Sequence, residues 1–230
     1  MSIISSGPRI WGQDKLQKAG GAAALVNALL YVIGFAAMAT VLNPGNTEGW
    51  GAAQRLAFVL ERKALFQAWT TLIYVVFGMA LVVLSVSLHE RLKDASASLM
   101  QIATAFGLIW SGLVIASGMI GSVGLEAVAS LQATDPSQAL STWTTLGAVE
   151  NGLGGGVEVV GGLWVLLISL AVRGSHALPK ALSYLGFVVG TAGILTIAPP
   201  LGELGAVFGI TQIAWFAWVG ICMLRRPTTN

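Results

Sequence analysis

The sequence predicts an all-α integral membrane protein: a single bundle of six transmembrane helices with both termini cytoplasmic. Composition is the first support, because only 10% of the 230 residues are charged and 55% are hydrophobic. Soluble domains carry roughly 25% charge. The second is length: six apolar runs, about 21–42, 65–88, 99–124, 150–172, 180–198 and 203–224, each approach the ~20 residues that a helical crossing needs. None shows the two-residue alternation of a β-barrel strand. The third is charge placement. Lys and Arg flank the runs in alternate gaps, nine on one side and three on the other, and the richer side is cytoplasmic.

The elements follow in order. Arg9, Lys15 and Lys18 precede the first run, whose apolar length exceeds the 7–15 residues of a cleaved leader. Asn43-Pro44-Gly45-Asn46 then signals a turn. The stretch from Trp50 through Leu56–Leu60 to Glu61-Arg62-Lys63 reads as a short amphipathic helix at the outer interface. An extension of the second run is the alternative. A short gap with Arg91 and Lys93 joins runs two and three as antiparallel neighbours.

The next gap holds Thr134-Asp135-Pro136-Ser137-Gln138. Asp135 is a good N-cap, Pro136 suits the first helical position, and Gln138 completes a capping-box spacing. A helix starting there is expected to run unbroken into the fourth span. Leu178-Pro179-Lys180 opens the fifth run, with proline where its missing N–H costs nothing. Pro199-Pro200 ends it, and a tight return leads into the sixth.

Several function classes drop out. The basic residues are dispersed, so nucleic acid has no footprint. Cys222 is the single cysteine, which excludes an intrachain disulfide, a cysteine zinc site and an iron–sulfur cluster. His89 and His176 both fall in cytoplasmic gaps, leaving no axial pair for a haem inside the membrane. No metal-binding histidine pair, nucleophile elbow or phosphate loop is present. No catalytic residue, metal or cofactor is therefore predicted. The expected partners are membrane lipid, with other membrane subunits or a second copy of the chain as protein partners.

One constellation carries chemistry. Glu158 lies 15 residues before Arg173, about 22 Å along a helix, in the outer half of the hydrocarbon. On a continuous helix, Gly147, Asn151, Gly154, Gly155, Gly161 and Gly162 fall within about 60° of it. Bulky residues take the opposite side. An ionised group near mid-bilayer costs about 2.5–3.5 kcal/mol, and protonating a glutamate at neutral pH costs about 3.7 kcal/mol. The two nearly cancel, so small changes of environment decide its state.

Around Glu158 the sequence gathers an outward-facing polar vestibule. Glu150 opens the fourth span, Glu126 ends the third, Glu203 starts the sixth, and Gln67 and Trp69 lie near the mouth of the second. The alternative is a protonated Glu158 hydrogen-bonded across a tight helix seam. Trp69, Trp110, Trp164 and Trp215 stand away from span ends and are candidates for a pocket wall or for packing. Small residues at four-residue spacing, Gly112/Ala116, Gly152/Gly156, Gly186/Gly190 and Gly205/Gly209, predict close intramolecular helix seams.

Leu42-Asn43-Pro44-Gly45, Ala64-Leu65-Phe66, Leu88-His89-Glu90-Arg91-Leu92, Leu178-Pro179-Lys180, Leu185-Gly186, Ala192-Gly193 and the stretch from Trp215 to Arg226 occur in this order. In them the chain resembles the bacterial membrane protein family catalogued as domain of unknown function 4386. The resemblance implies six spans in a bacterial inner membrane and brings no catalytic residue. The glycine-rich Glu150–Glu158 segment is not part of it.

Acid–base chemistry would rest on Glu158 and Glu150 without a metal or nucleophile. A non-enzymatic membrane protein is therefore expected: a scaffold, an accessory subunit or a binder of a lipophilic ligand. The alternative is a small-solute or proton-coupled transporter using Glu158 and Asn151, although no duplication of three spans is visible.

Overall fold

The computed structural model describes residues 12–155 and 157–225, with Gln13 and Gly155 described by their backbone alone. Arg9 and Arg226, two of the predicted flanking cations, lie outside the described residues. Every regular element among the described residues is helical.

Helix α1 runs Gln13–Ala39. It ends where Thr40 turns its hydroxyl back onto the Ala36 carbonyl, 2.6 Å away. The predicted turn forms, with Gly45 at φ 75° and its N–H on Asn43 Oδ1 at 2.8 Å. Helix α2, Ala52–Glu61, is separate from the second span, because Arg62 leaves helical geometry at φ −111°, ψ 26°. Its Leu56 packs on Val128 and Ala139, which flank the chain reversal at 133–135. The amphipathic segment is thus its own helix and not an extension.

Helix α3, Lys63–Thr70, passes through a π-helical turn at Thr71–Val76 into α4, Phe77–Leu92. Helix α5 spans Ala97–Gln132 and α6 spans Pro136–Glu150. Asp135 caps α6 by accepting the N–H groups of Ser137 at 3.1 Å and Gln138 at 3.0 Å. Its own N–H bonds the Leu131 carbonyl at 2.8 Å, so the reciprocal bond of a capping box does not form. Helices α7, Val159–Arg173, and α8, Lys180–Leu195, follow. A 3₁₀ turn at Pro199–Leu201 then leads into α9, Leu204–Arg225.

Among the described residues five stretches are long and apolar enough to cross a membrane: Asp14–Ala39, Lys63–Leu92, Ala97–Gln132, Pro136–Arg173 and Leu204–Arg225. Lys180–Leu195 is apolar but shorter. The helices close into a ring in the order α1, α4, α5, α7, α8, α9 and back to α1. Inside the ring Trp110, Trp164, Trp215, Phe208 and Phe216 are all at most 2% exposed.

The fourth span departs from expectation. It does not run unbroken: a π turn at Asn151–Gly155 ends α6, Gly154 takes φ 122°, ψ 18°, and α7 restarts at Val159. Four glycines in residues 152–156 withdraw about 4 kcal/mol of helix propensity. The single face predicted for Gly147, Asn151, Gly154 and Glu158 therefore does not exist, because the helical register is lost between Asn151 and Glu158.

Beyond the break, glycines lie at close helix contacts. A Cβ on Gly162 would stand 2.7 Å from the Gly190 carbonyl oxygen, and one on Gly190 2.8 Å from that of Gly162. Gly161 lies on the Trp110 ring, and Gly186 on Ser169 and Trp215. This seam makes α7 and α8 the most intimate pair. Gly154 has open space around it, so its role is backbone conformation and not packing. Gly112 and Gly152 also meet nothing within 4 Å and form no seam here. The packing expected of Gly155 and Gly156 falls outside the described residues. A seam the sequence reading missed joins α1 to α9, where a Cβ on Gly220 would lie 2.9 Å from the Gly21 carbonyl oxygen.

Candidate functional site

Towards one end the ring of helices is not filled. A cavity of about 370 Å³ lies between α1, the α3–α4 helix, α5, the break before α7 and the start of α9. Helix α1 contributes Leu30, Tyr31, Gly34, Phe35 and Met38, spaced as one helical stripe. Trp69, Ile73, Tyr74 and Phe77 form the second wall, Trp110 and Val114 the third. Gly202, Gly205, Ala206, Phe208 and Gly209 come from α9 and the turn before it, and Gly154 and Glu158 from the break.

Phe77, Trp110 and Phe208 form the floor, with ring centroids 5.6 Å apart for Phe77–Trp110 and 6.2 Å for Trp110–Phe208. Below them Trp164, Trp215 and Phe216 continue the aromatic packing, with Trp164–Trp215 at 5.5 Å. The opposite end is open. Phe35 and Met38, near the end of α1, are 42% and 46% exposed, and Gly202 and Ala206 beside them are exposed too.

Both helix irregularities of the second and fourth spans lie on this wall. The π turn carries Ile73 and Tyr74, and the glycine break carries Gly154 and Glu158. Such irregularities free backbone groups, which need partners inside a membrane. At the break the Glu158 N–H is taken by the Thr196 hydroxyl at 2.8 Å. That hydroxyl donates in turn to the Gly193 carbonyl at 2.7 Å. The Glu158 carbonyl accepts the Gly162 N–H at 2.8 Å and so starts α7.

Glu158 therefore occupies the N-cap position of α7 with its carboxyl on the cavity wall. The end of a helix that presents N–H groups is where a carboxylate is best accommodated. The ion pairs Arg62–Glu61, Lys63–Glu126 and Lys93–Glu90 leave it out. Among the described residues no Lys, Arg or His lines the cavity.

Of the residues the sequence singled out, Trp69 joins Glu158. It lines the same cavity and donates its indole N–H to the Gly34 carbonyl at 3.3 Å. Gln67 lies elsewhere, on a shallow second pocket with Thr71 and Ser122. It donates to the Ser122 carbonyl at 3.0 Å and to Glu126 at 3.4 Å. Glu126 is held by Lys63 at 2.7 Å. Glu150 is half-buried beside Gly121, outside the cavity lining. Asn151 is exposed, as is Glu203, one residue past the cavity-lining Gly202. The acids thus do not share one vestibule with Glu158. Of the four interior tryptophans, Trp69 and Trp110 line the cavity, whereas Trp164 and Trp215 are core.

Sequence reasoning missed Tyr31, Tyr74 and Phe77, and with them the part played by α1. The available signal was tyrosine well inside an apolar run, away from the interfacial belts where it is usual. Thr196 was missed as well, because nothing in the sequence links it to Glu158. Among the described residues no group of three or more His, Cys, Asp or Glu is placed to hold a metal ion.

A family profile described as "Domain of unknown function (DUF4386)" matches residues 19–224, the helix break and cavity included. No curated protein and no solved structure matches the chain.

Proposed function

The chain belongs to the DUF4386 family of unknown function, and from that premise we propose that it is a membrane protein that binds a small lipophilic molecule without transforming it. The observation that carries this reading is the cavity: about 370 Å³, walled by aromatic and aliphatic side chains around a single carboxyl. Ligand sites are typically cavities of roughly 300–1,000 Å³ with mostly apolar walls and a few polar groups. A cavity of that size is rare in close-packed interiors.

A neutral, polarity-sensitive naphthalene fluorophore titrated into the protein in lipid nanodiscs tests the proposal. Saturable enhancement above empty nanodiscs is expected, and Ala206→Trp at the exposed mouth should remove it. Enhancement no greater than with empty nanodiscs, in parent and variant alike, rejects a ligand cavity.

A second reading is transport of the bound molecule. The discontinuous fourth span favours it, since broken helices bearing a binding group are how many carriers build their sites. Glu158→Gln would then abolish ligand uptake into proteoliposomes while the protein still assembles. Unchanged flux removes that role.

The topology that accompanies either reading has six crossings, α8 counted as the fifth and α9 as the sixth, with both termini cytoplasmic and the cavity mouth facing outward in a bacterial inner membrane. At 16 residues, α8 is about 24 Å long, slightly below the ~30 Å hydrocarbon core, and Thr196–Ala198 extend it. Single-cysteine variants at Glu48, Ser137, Ser96 and His176 in a Cys222→Ser background test this with an impermeant maleimide on intact cells. The first two should label and the last two should not.

A further inference from the structure

Resting on the reading of the cavity as a ligand site, we infer that its ligand is an organic monocation: a tertiary or quaternary ammonium group carrying an apolar substituent, held between Glu158 and the surrounding aromatic faces. Three properties of the wall support this class over neutral or anionic compounds.

The first is charge. Among the described residues Glu158 is the one carboxylate of the lining, and no Lys, Arg or His stands there with it. A carboxylate removed from water and left unpaired takes up either a proton or a cation. An anion would meet only repulsion. A neutral apolar molecule would leave the carboxyl without a partner.

The second is ring geometry. Tyr31 and Phe77 stand at 85° with centroids 5.4 Å apart, and Trp69 and Tyr74 at 88° and 6.2 Å. Phe77 and Trp110 meet at 72° and 5.6 Å. Near-perpendicular rings on adjoining walls give an alkylammonium group aromatic neighbours in several orientations, and the negative faces of such rings are what attracts it. The Trp69 indole N–H is already engaged by the Gly34 carbonyl, so that ring is held in place before any ligand arrives.

The third is size and access. The cavity sits at the small end of the range for ligand sites, and its floor is closed by Phe77, Trp110 and Phe208. A compact head with one apolar arm fits: the head beside Glu158, the arm towards Phe35 and Met38 at the mouth. A bulky polycyclic cation does not.

The probes are benzyltrimethylammonium and its neutral carbon isostere, with a tert-butyl group in place of the trimethylammonium. Each displaces the neutral fluorophore from the protein in lipid nanodiscs. The cation should bind at least about tenfold more tightly than the isostere, a ratio equivalent to ~1.4 kcal/mol. Glu158→Gln should bring the ratio close to one while fluorophore and isostere still bind, which also shows that the variant is folded.

A parent ratio of one or less, with fluorophore binding still lost in Ala206→Trp, overturns the cation and leaves the lipophilic cavity standing. A ratio that survives in Glu158→Gln equally overturns the site as stated. Failure of fluorophore, cation and isostere alike to bind overturns the cavity reading together with this one.

Discussion

Thr196 closes the gap that the broken fourth span opens at Glu158. Its hydroxyl accepts the Glu158 N–H at 2.8 Å and donates to the Gly193 carbonyl at 2.7 Å, and the residue is 3% exposed. One side chain at the end of α8 thereby satisfies the N–H of the α7 N-cap and holds the carboxyl-bearing residue in place. Thr196→Val keeps the shape and removes the acceptor. Stranding a buried donor costs about 1–3 kcal/mol, so the variant should melt correspondingly lower in detergent and bind the fluorophore more weakly. Thr196→Ser should recover both. Parental stability in Thr196→Val would show that the Glu158 N–H finds another partner.

Gly154 and Gly152 separate conformation from space. Both have room for a methyl group, but only Gly154 has a positive φ, at 122°. Gly154→Ala should cost about 1–2 kcal/mol. Gly152→Ala should be neutral or stabilise by about 0.4–1 kcal/mol, through the unfolded chain. Chemical or thermal unfolding of the two variants decides, and equal effects would contradict the break at Gly154.

The α7–α8 seam makes the opposite demand, for space. An alanine methyl at Gly162 would lie 2.7 Å from both the Gly190 carbonyl oxygen and the Ile194 nitrogen, backbone atoms with little room to yield. Gly162→Ala should therefore destabilise by about 1–3 kcal/mol, while Gly112→Ala, with nothing within 4 Å, should leave the melting temperature unchanged. If Gly162→Ala melts with the parent, the two helices are not in backbone contact.

Asp135 supplies a pH test outside the spans. The Ser137 hydroxyl and the Gln138 backbone N–H hold its carboxyl below the usual aspartate range. A folded value below the unfolded one means that the cap stabilises above the unfolded pKa of about 3.9. That contribution disappears as pH falls through the lower, folded value. Asp135→Ala should melt below the parent near neutral pH, and the difference should shrink towards about pH 3. A constant difference across that range would assign the effect to something other than the ionised cap.

What could be read from the residues, and what could not, follows from lipid as solvent. The Asn43–Gly45 turn, the separate α2 and the Asp135 cap are local along the chain and were legible. The direction each span faces was not. Leu30 is 4% exposed and Leu29 56%, yet the two are the same residue type, because hydrocarbon tails and protein interior favour the same side chains. In water the buried stripe would have betrayed itself by amphipathicity. Here α1 offered no such stripe, and Tyr31 and Phe35 went unnoticed as cavity residues.

The sequence by itself determined that this chain is a bundle of apolar helices, where most of them begin and end, and that Glu158 is an acid set within an apolar stretch. Those are consequences of segment length, charge placement and capping chemistry, all local along the chain. Tertiary structure alone decided that the glycines before Glu158 break their helix, that Thr196 repairs the break, and that Trp69 shares a cavity with Glu158 whereas Gln67, Glu150, Asn151 and Glu203 do not. Each of these depends on which helix stands beside which, and among uniformly apolar helices only packing specifies the neighbours.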